Sequence, residues 1–536
     1  MKRFLCLLIS IVLILSFCPV TFAAETVTPY APDWIPESEY IIFPDTIAYE
    51  PEVWDMILEY RDLAATTSSG REGGRVIELH NALTRLKNND PGIHYELGLC
   101  NYGWALRNKP IFTSESYFLT ARGAFAPGTD EWRVLTELRA RAIVWGSGSS
   151  SGDERSLLMR TLVELQTLYP DFNRFEFLKH PDFDNFRKFS QNEIVTSIYV
   201  TVDGTLVTFD VIPQIIGGRT LVPIRAVCER IGADVGWDEA TQTATITRAA
   251  TEIALTIDSA AAYVNGTPHT LDTAPALIGG RTMLPIRFIM EQLCQKVEWD
   301  EKNQSIYITE NMDFAGDSNM REWMLGMGAV LAAVNNRDPY SIGMYSRSAS
   351  GTTFARNTLS GSWGCDSRED VLFQIDAIRD FGHNNNFLFD AALARSFTAE
   401  DYAYILENAT GMDKYMWPLV VALDKKWGDR GIAAWDWFRS SHLAGWGYLA
   451  GYLTLEEAYR LAEPAATLVR KTFSSWDEAT ENYLDGYAYW GRIDVSKANN
   501  DFARRTAIYE RLKDEQAQNG LLFDPAVWDG PVRGVQ

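Results

Sequence analysis

The spacing of apolar residues divides the chain into three regions. Between about 51 and 190, apolar residues recur every three or four positions, as in helices that bury one face. From 194 to 311 they alternate with polar residues at the period of β-strands, and the helical spacing returns from 312 to 536. The pattern therefore predicts a multidomain α+β protein, with an N-terminal α-helical region, a central β-rich module and a C-terminal all-α domain.

Two helical segments of the first region resemble a tetratricopeptide hairpin. The similarity rests on the spacing of Leu97, Gly98, Tyr102, Ala121 and Pro127, and it requires an insertion between the two helices. It implies an antiparallel helix pair, for which peptide binding is one open function. The stretch WGSGSSSGD, residues 145–153, predicts a flexible break inside the same region.

The central module contains one pattern twice. Residues 217–225 read GGRTLVPIR, and residues 279–287 read GGRTMLPIR. The same shift of 62 positions aligns the turn signals Asp203-Gly204 and Asn265-Gly266, and it holds over some 45 residues. Such a constant register predicts a tandem structural repeat.

The repeated residues have physical roles in a turn, a strand and a helix. The paired glycines allow a positive φ in a tight turn, and each proline suits the first helical position, which needs no amide hydrogen. An arginine in the first helical turn needs an acidic partner, for which Asp238 and Asp300 are the candidates. The positions assigned to the repeat are Gly218, Arg219, Pro223, Arg225, Trp237, Gly280, Arg281, Pro285, Arg287 and Trp299.

Together with the Trp237-Asp238 and Trp299-Asp300 ends, these segments resemble the copper amine oxidase N-terminal-like domain. The resemblance covers 194–311 and implies duplicated small β-β-α-β-β units that serve as an accessory module. It does not imply amine oxidation, because copper sites use several imidazoles and no H-x-H pair is present. The quinone-forming motif Thr-x-x-Asn-Tyr is also missing. We therefore expect no metal site, no cofactor and no copper amine oxidase activity.

The C-terminal region carries clear helix-start signals. Capping-box spacing joins Ser367 to Asp370, Thr398 to Asp401, Thr454 to Glu457 and Ser475 to Glu478. These signals predict five to seven helices.

The same region resembles the bacterial family called domain of unknown function 1266, from about 320 to 495. The matching residues include Ser362-Trp363-Gly364, Gly382-His383-Asn384, Ala434-Trp435-Asp436-Trp437-Phe438-Arg439 and Gly445-Trp446-Gly447-Tyr448. The resemblance implies an all-α fold and no particular reaction.

Three residues of this domain are candidates for catalysis. Asp436 and Arg439 lie three apart on one helix face, where an ion pair that supports the helix is the alternative to a catalytic role. His383 follows a helix-ending glycine, so it is either a cap for the preceding carbonyls or a general base. A catalytic site requires all three side chains to converge in one pocket.

An aromatic strip in the same domain is a candidate ligand-binding surface. It comprises Trp435, Trp437, Trp446 and Tyr448, interleaved with glycines that allow close helix contact. One interpretation is a helix–helix core, because large aromatic side chains dominate core packing. The other is a groove that stacks a sugar or an aromatic peptide side chain.

The N-terminus predicts export. Residues 1–23 combine Lys2 and Arg3, an apolar run and a small residue at the end, as in a secretory signal peptide; retention as an anchor is the alternative. Residues 24–50 form a Pro-rich linker or extended arm. The net charge of −22, with no clustered basic face, argues against a nucleic-acid partner, and no membrane span is expected after signal cleavage. Whether Cys228 and Cys294 pair stays open at this stage.

The modular layout favours an exported protein, secreted or held at the cell surface, that binds a cell-wall polymer or an envelope protein without catalysis. The alternative is an envelope-polymer hydrolase with its site in the C-terminal helices, around His383, Asp436 and Arg439.

Overall fold

The computed structural model describes residues 51–66, 72–86, 90–107, 114–144, 152–183, 197–411, 413–519 and 522–535, and six isolated positions between 32 and 43. The chain forms two compact units, Met1–Ser197 and Ile198–Gln536. The N-terminal helices, the central sheets between 199 and 310 and the C-terminal helices confirm the predicted multidomain α+β architecture. The predicted signal peptide, most of the arm and residues 145–151 of the predicted break lie outside the described residues.

The first unit is helical. Its helices are α1 (Pro51–Thr66), α2 (Glu72–Leu86), α3 (Pro91–Arg107), α4 (Ser114–Arg122), α5 (Asp130–Ile143), α6 (Gly152–Leu168) and α7 (Arg174–Phe177). Helices α3 and α4 approach closely at Gly98, where an added Cβ would overlap the ring of Phe118. A buried ion pair joins Arg61 to Glu96 with an N–O distance of 2.6 Å. Charge and close packing therefore both fix the position of α3 against its neighbours.

The second unit begins with three small sheets. Their strands are β1 (Tyr199–Val202), β2 (Thr205–Leu206), β3 (Gln214–Ile216), β4 (Arg219–Pro223), β5 (Asp234–Asp238), β6 (Thr243–Arg248), β7 (Thr251–Thr256), β8 (Ala261–Val264), β9 (Thr267–Thr270), β10 (Ala276–Ile278), β11 (Arg281–Pro285), β12 (Gln295–Asp300) and β13 (Ser305–Glu310). The strand orders are β12-β13-β1-β2, β10-β11-β4-β3 and β5-β6-β7-β8-β9. Helices α8 (Ile224–Cys228) and α9 (Ile286–Gln292) follow β4 and β11.

Strands β4 and β11 hold the sheet region together. They pair antiparallel, with Val222 opposite Leu284, and both of these side chains are buried. Two ion pairs flank this pairing: Arg219 contacts Asp272, and Arg281 contacts Asp210. In each ion pair, one residue belongs to the segment that contains β4 and the other to the segment that contains β11. Each segment therefore supplies one arginine and one aspartate to the contact between them.

Two local predictions for this region are wrong. Pro223 and Pro285 end their strands, and the helices start one residue later, because each proline is extended and pairs with the neighbouring strand. Asp238 and Asp300 are not the partners of Arg225 and Arg287, because they accept hydrogen bonds within the turns that follow them.

The open question of a disulfide is answered by the two cysteines of this region, which do not pair. Cys228 and Cys294 are both free thiols, the first buried in the sheet core and the second exposed at a turn with a φ of 61°.

The rest of the second unit is a helical domain. Its helices are α10 (Met320–Val334), α11 (Ala349–Trp363), α12 (Arg368–Phe381), α13 (His383–Ser396), α14 (Ala399–Asn408), α15 (Asp413–Trp427), α16 (Ala433–Leu449), α17 (Leu455–Thr472), α18 (Trp476–Trp490), α19 (Asp501–Asn519) and α20 (Pro525–Asp529). The described helices thus exceed the five to seven predicted. Ser367, Thr398 and Thr454 form the predicted capping boxes, and Ser475 caps α18 through the amide of Glu478.

Sheets and helices share a charged seam. Arg347, which precedes α11, contacts both Asp203 and Glu310, and its side chain is only 6% exposed. The Tyr448 hydroxyl donates to the same Glu310 carboxylate at 3.1 Å. Since buried charges are costly unless they are paired, this cluster fixes the sheet region against the helical domain.

Candidate functional site

The three predicted catalytic residues come together in the helical domain. Asp436, in the first turn of α16, accepts hydrogen bonds from the backbone amides of His383 at 3.0 Å and Asn384 at 2.6 Å. Arg439, one turn later, donates to the same carboxylate at 2.6 Å. Asp436 is 2% exposed, so its charge is held entirely by these donors.

Gly382 makes this arrangement possible. It ends α12 and also begins α13, and an added Cβ would overlap the carboxylate of Asp436. His383 is therefore the first residue of α13. The sequence interpretation in which it caps the carbonyls of the preceding helix is wrong. The cap at this junction is Asp436, which satisfies two amides at the N-terminus of α13, where a negative charge is favourable.

The hydrogen bonds of the His383 ring define its protonation. Its Nδ1 atom lies 2.9 Å from Nη2 of Arg439 and 3.2 Å from Nε1 of Trp435. Guanidinium and indole nitrogens only donate, so Nδ1 must be the acceptor and the proton of the neutral ring lies on Nε2. Burial lowers the pKa of His383, and Arg439 lowers it further, although Asp436 opposes both effects. Near neutral pH the ring is uncharged, and its lone pair is already bound.

This geometry does not suit a general base. A base needs a free lone pair directed at the proton it removes, within about 3 Å. In His383 the acceptor nitrogen faces Arg439 and Trp435, and the other nitrogen carries a proton. The cluster is convergent, as the catalytic alternative requires, yet its hydrogen bonds are those of a buried structural network.

The aromatic strip is part of the core. Trp435, Trp446 and Tyr448 are buried, and Trp437 is half-buried with its ring edge against Phe473. Trp435 also lies 5.3 Å from the ring of Tyr483, between centroids. Burial of Trp435, Trp446 and Tyr448 favours the core interpretation for these three rings over a stacking groove, whereas Trp437 stays partly exposed.

An open cleft lies in the sheet region instead. Its volume is about 610 Å³, and residues of β3, β4, β9, α9 and β12 line it. The side chains with the most distinctive chemistry are those of Arg219, Asp272, Arg287, Phe288, Trp299 and Glu301. In the sequence, Arg219, Arg287 and Trp299 were interpreted only as parts of the repeated structure.

Contacts within the cleft orient its polar groups. The Arg219 guanidinium lies 2.7 Å from the Asp272 carboxylate. The indole Nε1 of Trp299 donates to Glu301 at 3.3 Å. A sequence signal for this site exists, because Trp-Asp-Glu occurs at both 237–239 and 299–301, so a carboxylate follows each tryptophan by two positions.

The described residues contain neither a candidate cluster of metal ligands nor a candidate membrane-spanning helix. No group of three or more His, Cys, Asp or Glu side chains there could hold a metal ion. Within the same ranges, no helix has the length and apolar character needed to cross a bilayer.

Comparison with known families agrees with this architecture. Residues 201–308 match the family model of the copper amine oxidase N-terminal domain, and residues 358–520 match that of a protein family of unknown function, DUF1266. Both resemblances inferred from the sequence are thereby confirmed. The cleft lies in the first of these regions, and the His383 cluster lies in the second.

Two Escherichia coli K12 proteins share similarity with part of the chain. The uncharacterised protein YbeU is 26% identical over 132 residues, and the uncharacterised protein YbeR is 29% identical over 133 residues. Each alignment covers 25% of this chain and 56% of the relative, so the chain spans just over half the length of these relatives. No solved structure matches the chain significantly.

The buried His442 predicts a stability that depends on pH. Its Nε2 lies 2.9 Å from the Met327 carbonyl, and burial lowers the pKa of this histidine to about 4. An unfolded histidine titrates near pH 6.5, so between these values only the unfolded chain binds the proton. The resulting stability is complete above about pH 6.5 and is lost as the pH falls towards 4, by up to about 3 kcal/mol.

Urea unfolding at pH 7 and pH 4.5, followed by tryptophan fluorescence, measures this loss. His442→Gln keeps a donor for Met327 but does not titrate, so we expect its stability to vary less over this interval. An equal pH dependence in both proteins would rule out His442 as a source.

Proposed function

We propose that this is an exported protein of a bacterial-type cell envelope, secreted or attached to the cell surface, that binds a partner without catalysing a reaction. The observation that carries the proposal is the state of His383, whose acceptor nitrogen is bound by Arg439 and Trp435. This arrangement supports a structural role for the residues selected from the sequence as catalytic. The signal peptide predicted from residues 1–23 supports the proposed location.

We further propose that the central module is a duplicated β-β-α-β-β unit. The elements β3, β4, α8, β5 and β6 recur in the same order as β10, β11, α9, β12 and β13. Pairing of β4 with β11 then joins equivalent strands of the two copies. Such a module would hold and space the helical domain. The hairpin of α3 and α4 is a further proposed peptide-binding element, on the basis of its tetratricopeptide-like residue spacing.

Retention on the cell wall tests the proposal. Purified full-length mature protein is incubated with intact cells and with purified wall, and the bound fraction is measured after washing. We expect retention on at least one of them and no release of soluble wall fragments. The His383→Gln variant should be retained to the same extent, because His383 lies within a structural network.

The opposite outcome would identify an enzyme. An absence of retention, together with release of wall fragments that His383→Gln abolishes, would overturn the binding proposal. It would favour the alternative, an envelope-polymer hydrolase, for which the convergence of His383, Asp436 and Arg439 is the supporting observation.

A further inference from the structure

We propose that the cleft of the sheet region binds a neutral oligosaccharide, such as a glycan segment of a wall polymer. This inference rests on the proposed binding function and adds to it a site and a ligand class. The cleft of about 610 Å³ falls within the range of volumes that ligand sites occupy. Three features of its lining favour a hydroxyl-rich, uncharged ligand: an aromatic surface, paired donors and acceptors, and a nearly balanced charge.

Trp299 and Phe288 supply the aromatic surface. Both rings are half-buried, so each is packed on the sheet core on one side and still accessible from the cleft. The hydrogen bond from Trp299 to Glu301 fixes the orientation of the indole. A sugar ring has an apolar face of C–H groups, which gains from contact with such a rigid aromatic surface.

The polar lining suits hydroxyl groups. A hydroxyl both donates and accepts, so it is satisfied where donors and acceptors lie side by side. The Arg219–Asp272 pair offers both within one contact of 2.7 Å. Thr220 and Thr270 add hydroxyls, and the exposed guanidinium of Arg287 adds further donors.

The charge of the lining disfavours an anionic polymer. The lining contains two arginines and three carboxylates, those of Asp272, Glu291 and Glu301, so its charges nearly cancel. The whole chain has a net charge of −22, so a polyanion would be repelled both over long distances and within the cleft.

The chain contains a matched control for this site. Trp237 donates to Glu239 at 2.7 Å, as Trp299 does to Glu301, and it is 39% exposed. Trp237 and Glu239 each lie 62 positions before Trp299 and Glu301, their equivalents in the second copy of the pattern. At the position equivalent to Phe288, however, the first copy has Ala226. The Trp237 surface therefore lacks the second ring, and we expect the principal site to be that of Trp299.

Binding of chitohexaose and cellohexaose to the full-length mature protein, measured by titration calorimetry, tests the inference. We expect saturable binding of at least one of these neutral probes and none of polyglutamate, an anionic control. Trp299→Ala should weaken binding about tenfold or more, as removal of a central aromatic contact does, whereas Trp237→Ala should change it by less than about threefold.

Arg287→Met provides a second variant, because the Arg287 side chain is exposed and its loss should leave folding intact even if Trp299→Ala destabilises the module. Binding that both cleft variants leave unchanged would overturn the inference. So would preferential binding of polyglutamate, or no binding of either neutral probe. In each of these cases retention on purified wall would show separately whether the broader binding function survives.

Discussion

Replacing Asp436 by Asn is expected to destabilise the helical domain by about 3–5 kcal/mol, the usual cost of breaking a buried ion pair on one side. Asp436 is 2% exposed, and the Arg439 side chain is 10% exposed, so the variant leaves an uncompensated buried guanidinium. The variant also replaces one carboxylate oxygen by an NH2 group, which cannot accept a hydrogen bond. One of the donors at this site, the two backbone amides at the N-terminus of α13 or Arg439, then loses its acceptor.

Urea unfolding followed by tryptophan fluorescence measures this effect. The matched control is Glu456→Gln, because Glu456 pairs with Arg460 at 3.0 Å on an exposed surface, where the expected change is below about 1 kcal/mol. A double variant, Asp436→Asn with Arg439→Met, should recover part of the loss because it removes the unpaired charge. If Asp436→Asn were as mild as the control, the cluster would not be the structural network described above.

The same cluster shows where reasoning from sequence ends. The glycine at 382 was correctly predicted to end a helix, because a helix stop is a local property. The residue that caps the next helix is Asp436, which lies 53 positions after His383. No local pattern identifies such a partner, so His383 was considered as a cap for the wrong helix.

Turns and helix caps that are determined by neighbouring residues were predicted well, although the position of the two prolines was not. Asp203-Gly204 and Asn265-Gly266 both have positive φ values, as the two-residue turns between β1 and β2 and between β8 and β9 require. The capping boxes of α12, α14 and α17 likewise follow from residues three positions apart.

Features that depend on distant residues were missed. The Arg219–Asp272 pair spans 53 positions, and the cleft that contains it combines several strands and a helix. The seam around Arg347 joins residues up to 144 positions apart. A side-chain type can be recognised in the sequence, but its neighbours follow only from the packing of complete elements.

Gly451→Ala is expected to cost about 3 kcal/mol, because it combines backbone strain with a steric overlap. Gly451 has a φ of 81°, a conformation that an L-residue adopts only at a cost. An added Cβ would also overlap the carbonyl oxygen of Gly232, which belongs to the sheet region. The backbone has little room to move away, since the carbonyl of Gly451 accepts from the Ala249 amide at 2.7 Å.

Gly411→Ala separates the two contributions. Gly411 has a φ of 58°, and nothing lies within 4 Å of its would-be Cβ, so this variant should show only the backbone cost of about 1–2 kcal/mol. The excess loss in Gly451→Ala then measures the contact between sheets and helices. Because Arg347 and Arg356 bridge the same seam to Asp203 and Asp234, we expect one cooperative transition of this unit in the unaltered protein and a less cooperative one in Gly451→Ala. Equal losses in the two glycine variants would mean that the contact between Gly451 and Gly232 adds no stability. Two separate transitions in the unaltered protein would mean that the sheet region and the helical domain unfold independently.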